Sequence, residues 1–138
     1  TKRTTGQDQL INELKLKEVK ELNAGYNFER SGSYPYRLNP VRIPELIEVF
    51  RKFPKAKLML DIHTNNPKVV DILIQLIATE FEGGDFILAS EYDEIITSLK
   101  NKQPNWRYGV PEKEAKRMLY SSFLYLDGLF PIQSDYFI

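Results

Sequence analysis

Cysteine is absent from the 138 residues, and histidine occurs once, at His63. No disulfide, thiolate metal site or cysteine nucleophile can therefore operate. A mechanism that needs two imidazoles cannot be assembled from this chain alone. An excess of one charge is also missing, since 19 Lys+Arg balance 19 Asp+Glu. Binders of nucleic acid or anionic membranes normally concentrate positive charge, so this balance argues against both classes. Long apolar runs are lacking too: the longest, 69–78, is broken by Asp71 and Gln75 and is too short to span a bilayer. Thr1-Lys2-Arg3 runs into polar residues without the apolar stretch of a signal peptide, which leaves cytoplasm and periplasm or secretion both open.

What is present is a folding composition, 42% hydrophobic and 28% charged, of one-domain length. Residues 1–9 read as polar loop. Leu16, Val19 and Leu22 recur at helical spacing, with Gly25 as the stop. Residues 26–40 form a long irregular segment containing Tyr26, Phe28, Tyr34 and Tyr36; ordered loops of this length are often functional. Pro44 suits a first helical turn, and Leu46, Ile47, Phe50 and Phe53 give the stripe of a helix that Pro54 ends. Leu58-Met59-Leu60-Asp61-Ile62 is a nearly continuous apolar strand of the kind covered on both faces in parallel sheets. Asn66-Pro67 then caps and opens a helix with Val69, Val70, Leu73, Leu76 and Ile77 on its inner face. A second strand at 86–89 is followed by a helix marked by Ile95, Ile96 and Leu99. A third strand is expected at 106–110, a helix opened by Pro111, and a fourth strand at 126–130.

Strand–helix alternation of this kind predicts an α/β fold, a parallel sheet with right-handed crossovers. The repeat length suits a (β/α)₈ TIM barrel, but such a barrel needs about 250 residues and this chain supplies about four βα units. The reading is a single incomplete barrel over residues 1–138, with the long aromatic loop before its first strand and both flanks missing. The open edges and bared interior of such a piece predict oligomerisation or association.

Barrel active sites lie at the carboxyl ends of the strands. There the chain places Asp61 and His63, which share a face by alternation, and Ser90 with Glu91. Asp61 within an apolar strand needs a partner to offset desolvation, and its oxygens would suit a hard cation. His63 is either a ligand-facing group or a hydrogen-bonded structural residue. Ser90-Glu91 reads first as the cap of the following helix. The lysine-rich runs at 15–20 and 113–117 read as solvated helix faces. No phosphate-cradling glycine loop, nucleophile elbow or HExxH pattern is present.

Several motifs in order resemble those of glycerophosphodiester phosphodiesterases. They are Arg3-Thr4-Thr5-Gly6, then Leu22-Asn23-Ala24-Gly25, Tyr34-Pro35-Tyr36-Arg37, and Arg42-Ile43-Pro44 with Glu48-Val49. Leu58-Met59-Leu60-Asp61-Ile62-His63-Thr64-Asn65-Asn66-Pro67 and Leu126-Asp127-Gly128-Leu129-Phe130-Pro131 continue the match. The resemblance covers essentially the whole chain and implies strands three to six of a TIM-barrel hydrolase. Such enzymes cleave glycerophosphodiesters to sn-glycerol 3-phosphate and an alcohol with a divalent metal, Ca²⁺ or Mg²⁺, in lipid and glycerol metabolism. It implies Asp61 as a metal ligand, in a position usually held by Glu. His63, where a lysine is usual, and Glu91, where a phenylalanine is common, fall at substrate-binding positions. The two acid/base histidines and the Glu-x-Asp metal pair of that family have no counterpart here, so no catalytic residue is expected within this chain, and the 138 residues alone are expected to be inactive. Alternatives are a lysophospholipase D of the same superfamily, favoured by the aromatic loop, and a degenerate barrel used for binding, suggested by His63 and Glu91.

Overall fold

A computed structural model describes residues 1–110; the expected helix opened by Pro111 and the strand at 126–130 lie outside the described residues. The chain divides into two units, Thr1–Val49 and a second that begins at Phe50, with the division inside a helix.

The first unit contains short elements: α1 (Lys2–Thr5), a 3₁₀ turn at Ile11–Glu13 and α2 (Leu16–Glu21), followed by the start of α3 (Leu46–Lys52). The expected loop at 1–9 contains one helical turn instead. The Thr4 and Thr5 N–H groups reach the Thr1 carbonyl, and Gly6 closes the turn in the left-handed region at φ 74°. Four residues are too few to show a periodic stripe, so the pattern is silent there. Gly25 is not the stop of α2, which ends four residues earlier. There Arg42 Nη1 donates to the carbonyls of Lys20 and Glu21 at 3.0 and 2.9 Å, occupying acceptors that a helix end leaves open. Gly25 is needed for close approach, because a Cβ there would meet the Tyr36 Cβ at 2.7 Å.

Polar side chains hold this unit together. Asn23 Nδ2 donates to the Tyr36 carbonyl, and its Oδ1 accepts the Gly25 and Val41 N–H groups. The aromatic segment turns back on itself at Ser31-Gly32, both at positive φ, between paired Arg30 and Ser33. Helix α3 starts at Leu46, after Pro44, because the Glu45 carbonyl accepts the first helical N–H groups and the Glu48 carboxylate caps the Glu45 N–H at 2.7 Å. It ends at Lys52. Phe53 therefore falls off the expected stripe and is exposed.

The second unit runs β1 (Lys57–Ile62), α4 (Lys68–Glu80), β2 (Asp85–Ser90) and α5 (Asp93–Lys102). The strands are parallel in the register Leu58↔Phe86, Leu60↔Leu88, Asp61↔Ala89 and Ile62↔Ser90. Asn66 Oδ1 accepts the Lys68 N–H at 3.1 Å, so the expected cap opens α4 behind Pro67. Val70, Leu73 and Ile77 of α4 and Ile95, Ile96 and Leu99 of α5 are buried. They join Phe86 and Leu88 in the core, with Phe50 stacked on Phe81 at 4.5 Å and Phe86 edge-on to Trp106 at 5.1 Å.

Two expectations are corrected here. The third strand is reduced, among the described residues, to one parallel bridge, Leu88↔Tyr108, flanked by bonds to Arg107 and Gly109. A turn fixed by the Trp106 N–H on the Gln103 carbonyl delays the chain's arrival beside β2. Strand β1 is covered on one face only. Leu58, Leu60 and Ile62 are partly or fully buried, whereas Lys57, Met59 and Asp61 are exposed, Met59 at 55%. The covered face is the helix face, since Phe86, in register with Leu58, lies 6.3 Å from Phe81 at the end of α4. A sheet of this extent is an arc, and its inner face is covered only when a cylinder closes.

Candidate functional site

Register and alternation place Asp61 on the face of the sheet opposite the helices, one residue from the carboxyl end of β1. His63 follows two residues later, just beyond the strand, and Glu91 follows β2 directly. Because β1 and β2 are parallel and neighbouring, both exits open at the same end. His63 Nε2 lies 3.0 Å from Asp61 Oδ2, and His63 Nδ1 lies 3.7 Å from Glu91 Oε1. The first is a close contact and the second a longer one, so Nδ1 is the ring nitrogen with more room to turn to another acceptor. All three side chains are exposed to water, Asp61 least, at 49%.

A fourth residue belongs to this cluster. The Glu91 carboxylate, by its charge and by a hydrogen bond, holds the Tyr92 hydroxyl above its usual range, with partial burial adding to the effect. Sequence reasoning missed Tyr92; the available signal was its place one residue beyond Glu91 at a strand exit. Ser90 serves a different purpose from the expected cap. Its Oγ donates to the Ile62 carbonyl at 2.6 Å and accepts the Tyr92 N–H at 3.1 Å, while Tyr92 itself is the N-cap residue of α5. This ties the two strand exits together and fixes the separation between Asp61 and Glu91.

Two carboxylate side chains flank one imidazole here. A phosphodiester anion is poorly received by such a mouth unless a cation intervenes. Asp61 and Glu91 are the oxygen donors at hand, but Ca²⁺ takes six to eight oxygens and Mg²⁺ six. Among the described residues no group of three or more His, Asp or Glu side chains is arranged to hold a metal ion. These residues therefore do not form a metal centre by themselves. At the opposite end of the strands, Asp85 pairs with Arg107 and lies 3.8 Å from Lys57. In a barrel, that end serves stability.

No protein-family profile and no curated protein matches the sequence. By structure the chain is similar to the glycerophosphoryl diester phosphodiesterase domain of an uncharacterized protein from Mycobacterium tuberculosis. The TM-score is 0.73 at 22% sequence identity, over 89% of this chain and 45% of that one. The fold is part of a TIM barrel. At this identity the likeness speaks for architecture, and the chain spans under half the length of the chain it matches. Within the barrel, the helix-covered face is the outside and the face carrying Met59 and Asp61 lines the interior. Asp61, His63 and Glu91 thus stand at the carboxyl ends of the strands, the end at which TIM barrels in general place their chemistry.

Proposed function

We propose that this chain is the part of a glycerophosphodiester phosphodiesterase barrel that carries one wall of its active site, and that the intact protein hydrolyses glycerophosphodiesters to glycerol 3-phosphate and an alcohol. The observation that supports this reading is the convergence of Asp61, His63 and Glu91 at the exits of adjacent parallel strands, on the interior face. In this reading Asp61 gives one oxygen to a divalent cation, Ca²⁺ or Mg²⁺, whose remaining donors lie outside these three residues. When bound, that cation neutralises phosphate charge. Asp61 lies against His63 Nε2, leaving Nδ1 to face a phosphate oxygen, to which it donates when that nitrogen carries the proton. Glu91, held by Tyr92, sits behind that nitrogen and suits a hydroxyl-bearing part of the substrate better than its phosphate.

The test is metal-dependent release of glycerol phosphate from glycerophosphocholine by the intact protein. Asp61→Asn should lower kcat/KM by about 100-fold, comparable to loss of one preorganised electrostatic partner. Native turnover in that variant would defeat the assignment. A higher rate on lysophosphatidylcholine than on glycerophosphocholine would favour the lysophospholipase D alternative. The 138 residues alone, with one histidine, are proposed to be inactive, and measurable turnover by them would overturn that.

A further inference from the structure

Every buried hydrophobic side chain among the described residues lies in the second unit, from Phe50 onward. The first unit buries none, yet it exposes Phe28, Tyr34, Tyr36 and Leu38 within one segment. Contiguous apolar exposure of this kind marks an interaction surface. The same segment breaks the charge balance of the chain. Between residues 26 and 40 there are two arginines and one glutamate, 2 − 1 = +1, in a protein whose total is zero. Arg37 is built into the aromatic cluster, its guanidinium 3.7 Å from the Tyr34 ring centroid and 4.8 Å from that of Tyr26. The tilted pair Phe28–Tyr36, 5.4 Å apart, completes the cluster. Leu38, next to Arg37, is 92% exposed, more than any other large hydrophobic side chain among the described residues.

We infer that this segment is a peripheral docking surface for an anionic phospholipid bilayer. A leucine projecting almost wholly into water gains from an acyl layer deep enough to receive it. Tyrosine and phenylalanine rings favour the headgroup level. Arginine matches phosphate in a bidentate fork and is drawn to a negative leaflet. An acidic protein surface would answer the arginines, but would need a pit for Leu38 as well; a bilayer answers both without one. The neutrality of the whole chain hides this local asymmetry.

The experiment is flotation of the chain with phosphatidylcholine vesicles, with and without phosphatidylglycerol, against a lipid-free gradient. Binding is expected to the anionic vesicles, to fall with added salt, and to drop about tenfold or more in Leu38→Glu and in Arg37→Glu. Leu38→Trp should retain it. Leu38 makes no buried contact, so an unchanged circular dichroism spectrum and Tm in Leu38→Glu would tie the loss to the surface. Three results would overturn the proposal: no flotation of the native chain, binding indifferent to Leu38→Glu, or a lipid-independent dimer that Leu38→Glu dissolves.

Discussion

Phe50 is wholly buried and stacks on Phe81 at 4.5 Å and 8° between ring planes. Truncating its ring would leave a cavity against Phe81, so Phe50→Ala should cost about 3–5 kcal/mol, read as a shift of the denaturation midpoint. A loss under about 1 kcal/mol would mean that the site collapses around the gap. The electrostatics of single residues are weaker. Arg51 forks onto Glu80 through Nε and Nη2 at 2.8 and 2.9 Å, and this hydrogen-bonded pairing holds the Glu80 carboxyl below its ordinary value of 4.5. A carboxyl depressed by folding stabilises the fold above its unfolded value, and that contribution is lost as pH falls through the folded value. Glu80→Gln should therefore lower Tm slightly at neutral pH, with the two proteins converging as pH drops well beneath 4.5. Curves that stay parallel into acid would show that the pair contributes nothing.

Among the elements, the crossing from β1 to β2 depends on a few polar groups as much as on apolar area. The Ser90 hydroxyl carries two bonds, to the Ile62 carbonyl and from the Tyr92 N–H. Ser90→Ala removes both and is expected to cost about 1–3 kcal/mol, with an unchanged denaturant slope. Under the proposed hydrolase function, the same hydroxyl sets the spacing of the strand exits, so this variant of the intact protein should lose activity beyond what its stability loss explains. Activity unchanged at full occupancy of the folded state would remove Ser90 from any positioning role. Periodicity made α4 and α5 legible because each has three buried positions on one side. It misread Pro44, Phe53 and Gly25 because those boundaries are set by partners distant in sequence or by carboxylate caps. The Arg42 guanidinium on the end of α2 is such a partner.

For the molecule as a whole, β1 is paired on one side only among the described residues, and its interior-facing Met59 is exposed. A two-stranded sheet is marginal by itself, and an open edge invites pairing. The 138-residue chain alone should therefore associate, its sedimenting mass rising with concentration. A stable compact monomer would contradict this. No helix among the described residues is long and apolar enough to cross a membrane.

The alternation of apolar strands with amphipathic helices determined the parallel βα architecture from sequence alone, because side-chain periodicity is a local property of each element. The same pattern put Asp61 and His63 on one face, since that spacing too is local. What only the tertiary structure decided is which face looks inward, that Glu91 arrives beside His63 from the next strand, and that Ser90 stitches strands instead of capping a helix. Those facts depend on register between segments about 28 residues apart, and no periodicity within either segment encodes it.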